Sequence, residues 1–255
     1  MIGLAEACLH CDTGLMVDSG PMKTVIALVA ATFVAGCSYL GPPETIADYR
    51  ATLFSYMRAD DIRTACEAGA GDHYRYVYNA PVDAQKRSID VVADAGAGAT
   101  LTEVIDRGVT LTGRGQFTTF ANIPADLLAV PRAERRIDEG ALTQLRTAMT
   151  ADDVFGPPPV GRVLHSRDNW WLVAGCNDGA FFLTGYVLQG NQPDPLQFAA
   201  VLRALDPTGV PWPAPRRFVS PRDGSGRCAL DNASAEPCYT LTIGEDGLVG
   251  HRPLF

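Results

Sequence analysis

Histidine is scarce and scattered in this chain of 255 residues: there are four, none at metal-ligand spacing from another. No HExxH and no CxxCH occurs, which removes the sequence basis for a zinc or haem site, so neither a metal nor a cofactor is expected. There is no GxSxG elbow, and Gly224-Ser225-Gly226 reads as a turn. Gly96-Ala97-Gly98 and Gly113-Arg114-Gly115 lack the lysine or the strand-to-helix setting of phosphate loops. A dense Lys/Arg cluster is also missing and the formal charge is −8, which argues against nucleic acid as a partner. The most basic short segment, Arg132 to Arg136, is interrupted by Ala133 and Glu134 and reads as a solvated helix start. The apolar run from Val25 to Ala35 falls well short of the ~20 residues that span a bilayer.

Apolar residues, by contrast, make up 47% of the chain and charged ones 20%, which is the balance of a folded protein. Met22 to Ser38 reads MKTVIALVAATFVAGCS: a lysine, a short hydrophobic segment, then Val34-Ala35-Gly36-Cys37. That is the layout of a secretory signal. The 21 residues before it fit nothing that follows, and Cys8-Leu9-His10-Cys11 is a lone CxxC with no second ligand pair. Met22 is therefore expected to be the true start, with residues 1–21 a mis-assigned extension.

The Val-Ala-Gly-Cys ending resembles the lipobox of bacterial lipoproteins. The resemblance implies removal of the signal at 22–36 and lipidation of Cys37, which would anchor the protein to a membrane of the cell envelope, facing the periplasm. Ser38 stands where the enterobacterial inner-membrane sorting pattern has aspartate, which favours the outer membrane. Residues 37–44, with Gly41-Pro42-Pro43, read as a lipidated tether.

Cysteine usage agrees with export. Past Cys37 there remain Cys66, Cys176, Cys228 and Cys238, an even number suited to an oxidising compartment. Of three pairings, Cys228 with Cys238 is favoured because the two flank a short polar loop, which leaves Cys66 with Cys176.

The pattern along the chain predicts an α+β fold: an antiparallel β-sheet meander, two or three covering helices and a small C-terminal disulfide-bearing β element. Residues 45–205 are expected to form the main domain, 206–215 a Pro-rich linker and 216–255 the small element. Helical spacing covers Thr45 to Ala68 with a break at Asp60-Asp61, then Asp138 to Met149, then Pro195 to Leu205 with Asp194 as N-cap. Strands are expected at His73–Asn79, Lys86–Asp94, Thr100–Ile105, Val109–Thr112 and Gln116–Phe120, with Pro124–Val130 left as a short helix or loop. Trp170 to Cys176 and Ala180 to Leu188, joined through Asp178-Gly179, make the clearest hairpin. A second hairpin runs from Cys238 to Ile243 and returns through Leu248-Val249.

Three functional readings follow. The preferred one is a lipid-anchored envelope protein with a structural or interaction role and an envelope protein as partner, acting other than as an enzyme. The second is a glycan or small-ligand binder stacking its ligand on Tyr74, Tyr76 and Tyr78, which share one strand face. The same three tyrosines also suit a core position beneath a helix, and that is the favoured placement. The third is an envelope hydrolase built on His165 and Asp168, with Cys176 as a conceivable nucleophile. Its premise fails if Cys176 is in a disulfide. His251, close to the C-terminus, is expected to be exposed.

Overall fold

The computed structural model describes residues 39, 46–80, 85–96, 98–106, 131–166, 168–188, 194–213 and 239–249, with side chains in the first helix from residue 52. Cys37 and the signal at 22–36, the Cys228/Cys238 pair, His251, and the elements expected over 109–112, 116–120 and 124–130 lie outside the described residues.

The fold is mixed α and β. Its centre is a six-stranded antiparallel sheet. The strands are β1 (His73–Asn79), β2 (Lys86–Ala93), β3 (Ala99–Asp106), β4 (Arg132–Ile137), β6 (Trp170–Asn177) and β7 (Ala180–Val187), in the order β4-β3-β2-β1-β6-β7. The expected meander accounts for β1 to β3; β4 then pairs with β3, and the hairpin β6–β7 adds to the free side of β1. Asp178 and Gly179 take φ of 50° and 76° at the hairpin tip, the left-handed geometry that this dipeptide supplies. Gly175 is required for a different reason. A Cβ there would lie 2.5 Å from the carbonyl oxygen of His73 on the paired strand.

Both faces of the sheet are covered. On one, α3 (Glu139–Ala151) and α4 (Gln197–Leu205) pack Leu142, Leu145, Met149, Phe198 and Leu202 over Tyr74, Tyr76, Ile89, Val91 and Val173. On the other, α1 (Ile46–Arg58) and α2 (Asp60–Glu67) bring Leu53, Tyr56, Met57 and Ile62 onto Val77, Leu172 and Ala174. Central strands β1 and β6 are thus buried on both sides, which is why β6 reads as a continuous apolar run. The α1–α2 break falls at Ala59, whose φ of 54° leaves the helical region, and Asp60 and Asp61 open the first turn of α2. No helix among the described residues is long and apolar enough to cross a membrane.

Cys66 on α2 is joined to Cys176 on β6, tying the second helix to the central hairpin.

Several expectations need correcting. Arg132 to Arg136 is not a helix start but most of β4, an edge strand whose outward charges guard an unpaired backbone edge. The helix α4 begins at Gln197 with Leu196 at the cap position, and Asp194 is not its N-cap. Instead the Phe198 N–H donates to Asp152 Oδ2 from the end of α3, 2.9 Å away. Asp194 accepts from the Trp171 indole at 2.8 Å and pairs with Arg203 at 2.7 Å.

The segment 206–213 is not a free linker. Trp212 packs on Tyr78 and Trp171, with ring centroids 5.3 and 5.8 Å away. Nor is the C-terminal hairpin, β8 (Thr240–Gly244) and β9 (Gly247–Val249), a separate element. It pairs with β5 (Val163–His165) in a three-stranded sheet, and Leu241 and Ile243 are wholly buried with the α1–α2 layer.

Candidate functional site

The alternation of β1 decides where its side chains go. Tyr74, Tyr76 and Tyr78 point into the α3–α4 layer and are 0, 0 and 1% exposed. They are core residues, so the tyrosine row is no stacking platform for a sugar. Tyr74 donates to Asn177 Oδ1 at 2.7 Å and accepts from Arg146 of α3, which clamps that helix to the hairpin end.

The other face of β1 carries His73 and Arg75, and the register aligns Arg75 with Asp90 on β2 and Asp90 with Thr102 on β3. The α1–α2 layer covers β1 here but leaves β2 and β3 partly open. A groove of about 220 Å³ results. Thr52, Leu53 and Tyr56 of α1 form one wall, together with Tyr39. Its floor is Ser88, Asp90, Val92, Thr102 and Val104, with Asp61, His73 and Arg75 at one end.

A tight ionic network closes that end. The Arg75 guanidinium, 2% exposed, donates from Nη1 and Nη2 to the two carboxylate oxygens of Asp61, each at 2.8 Å, and from Nε to Asp90 Oδ1 at 2.9 Å. Its Cζ lies 3.9 Å from the ring centroid of Tyr56 and 4.7 Å from that of Tyr39. Asp90 also lies 2.7 Å from His73 Nε2 and accepts from the Tyr56 hydroxyl at 2.7 Å. Burial works to raise the Asp90 carboxyl, but the Arg75 charge and the His73 contact outweigh it and hold the group down at about 2. The same burial, reinforced by the Asp90 charge, pushes the phenols of Tyr56 and Tyr39 well above their ordinary value.

Near neutrality Asp90 is therefore a carboxylate, Arg75 a guanidinium, and the two phenols keep their protons. A general base works best with a pKa near the operating pH. A carboxylate moved towards that range lies on the opposite face. Burial pushes Glu103 up to about 7, against the donation from Arg87, but Glu103 is 1% exposed and sealed beneath Trp212 and the 206–213 segment.

The remaining sequence candidates fall in structural roles. Cys176 is bonded to Cys66, so it is no nucleophile and the hydrolase reading loses its premise. His165 and Asp168 flank a turn in which the Asp168 N–H donates to the His165 carbonyl at 2.8 Å. Asn79 donates from one amide nitrogen to the carbonyls of Ser166 and Asp168, pinning that turn to β1. Among the described residues no group of three or more His, Cys, Asp or Glu could hold a metal ion.

Sequence reasoning missed Arg75, Asp90, Asp61, Tyr56 and Tyr39 as a group. A histidine and an arginine inside a strand whose opposite face is all tyrosine was the available signal, but their partners depend on register. No protein-family model, no curated protein and no solved structure matches the chain.

Proposed function

We propose that the protein is a lipid-anchored component of the bacterial cell envelope, held through Cys37 and facing the periplasm, with a structural or protein-interaction role. The observation that carries this reading is the disulfide between Cys66 and Cys176, which joins two core elements and suits an oxidising compartment. It agrees with the signal layout ending in Val34-Ala35-Gly36-Cys37. Ser38 favours the outer membrane. An open groove closed at one end by the Arg75–Asp61–Asp90 network supports recognition of a partner, and that partner is expected to be another envelope protein. A second disulfide, Cys228 with Cys238, belongs to the same proposal.

The test is the mass of the mature chain from a bacterial host. A start at Cys37 carrying acyl groups is expected, with both features lost in Cys37→Ala. An unprocessed, unacylated chain would overturn the anchor. Cross-linking in intact cells, followed by purification from detergent-solubilised membranes, should capture a discrete envelope partner; recovery of the protein alone would count against the interaction role.

A further inference from the structure

Tyr39 is fixed in place. Its backbone N–H donates to Ser55 Oγ in the last turn of α1 at 2.9 Å. Its ring meets Tyr56 edge-on at 4.8 Å and lies over the Arg75 guanidinium, so the chain at this residue is fastened to the groove wall. Cys37 precedes it by two residues. Even fully extended, two residues reach no more than about 7 Å. A lipid on Cys37 therefore cannot hang the folded part on a long stalk; the distance from bilayer to groove is limited by one intervening serine.

From this covalent limit, and resting on the lipid-anchor reading above, we infer that the groove side of the molecule is its membrane-facing surface. The headgroup layer of a phospholipid bilayer would lie against α1, the groove mouth and the outer half of the sheet. The residues on that side fit such a neighbour. Pairing places Arg132, Glu134 and Arg136 of β4 on the groove face of the sheet, in line with Val104, Thr102 and Thr100. All three are exposed, and Arg132 pairs with Glu134 and Arg136 with Asp94, so the edge presents charges of both signs to a layer of charged and zwitterionic headgroups. Arg132 is paired across from Val104, which lines the groove together with Tyr39, so this edge borders the groove of the anchored residue. Val92, 44% exposed on the groove floor, adds an apolar contact. The α3–α4 layer then faces the aqueous side, where a protein partner has access.

The experiment uses the full, acylated chain in vesicles of phosphatidylethanolamine and phosphatidylglycerol at about 3:1, the second lipid providing the negative surface. A photo-crosslinking residue is placed at Val92 or at exposed Gln144 on α3, and lipid adducts are counted by mass spectrometry. Several-fold more adducts are expected from position 92 than from 144. A Gly/Ser spacer of about twelve residues between Ser38 and Tyr39, reaching on the order of 20 Å, should bring position 92 down to the level of 144. Equal adducts at the two positions, or no effect of the spacer, in a chain whose mass shows acylation would overturn the membrane-facing assignment and leave the anchor standing. Absence of acyl mass on Cys37 would overturn the anchor, and this assignment with it.

Discussion

Two buried arginines sit on neighbouring strands and face opposite sides of the sheet. Arg75 on β1 and Arg87 on β2 each pair with two carboxylates, and each places its Cζ over an aromatic ring, Tyr56 at 3.9 Å and Trp212 at 4.0 Å. Their carboxylates nevertheless differ. Asp90, beside the open groove, has Arg75, His73 and Tyr56 directed at it and stays ionised down to about 2. Glu103, in the closed cluster, shares Arg87 with Asp206 and is pushed up to about 7, chiefly by burial. An arginine partner alone does not keep a buried carboxylate charged. The number of donors and the distance to water decide it.

The largest effect expected from breaking this symmetry is at Arg87, which is 0% exposed. Arg87→Met leaves Glu103 and Asp206 without their cation in a dry site and should cost about 4 kcal/mol in urea unfolding. Next comes the pH dependence of the closed cluster. Glu103 binds its proton more tightly folded than unfolded, so the folded state holds more protons between the ordinary glutamate range and about 7. Stability should therefore fall as pH rises through that window, by up to about 3 kcal/mol, and Glu103→Gln should flatten the slope.

The groove cluster should respond more weakly and with the opposite sign. Arg75→Met is expected to cost only about 2 kcal/mol, because Asp61 is 34% and Asp90 18% exposed and both can recover water through the groove. Asp90 is depressed in the folded state, so its contribution is present at neutral pH and lost as pH falls from about 4 towards 2. Asp90→Asn should remove that acid-side loss, read from unfolding midpoints across the range. Smallest is Tyr56→Phe, which deletes a single hydrogen bond to Asp90 and should cost about 1 kcal/mol by thermal unfolding. Equal losses for Arg75→Met and Arg87→Met would show that access to water makes no difference here.

Local chemistry was legible where it was self-contained. The β6–β7 hairpin announced itself through two apolar runs and Asp178-Gly179, and α3 through the helical spacing of Leu142, Leu145 and Met149, to which the structure adds Asp138 as an N-cap accepting from the Ala141 N–H. The pairing of Cys66 with Cys176 followed from assigning Cys228 and Cys238 to each other. Where tertiary position overrides propensity, reading failed. Arg-Ala-Glu-Arg-Arg favours helix in isolation, yet it forms β4 because the free edge of β3 accepts it. The prolines after Asp206 suggested an extended linker, whereas Asp206 reaches back 119 residues to Arg87 and Trp212 packs on Tyr78 and Trp171. Both arginine clusters were invisible for the same reason. Asp90 meets Arg75 only through strand register, and Asp206 meets Arg87 only once the chain has folded back.

The position of β1 also sets an order of events for a growing chain. One neighbour, β2, follows after a short turn, but the other, β6, begins at Trp170, almost a hundred residues later. Closing so distant a contact is slow, because the loop entropy is lost before the strand pairing compensates. Until then the edge of β1, lined with tyrosines on one side and charge on the other, stands unprotected. The pairing aligns Cys176 with His73 at the start of β1, and the Cys66–Cys176 bond forms at that same end. Oxidation thus seals the most distant strand pairing of the central sheet, turning a late-docking strand into one that cannot readily leave.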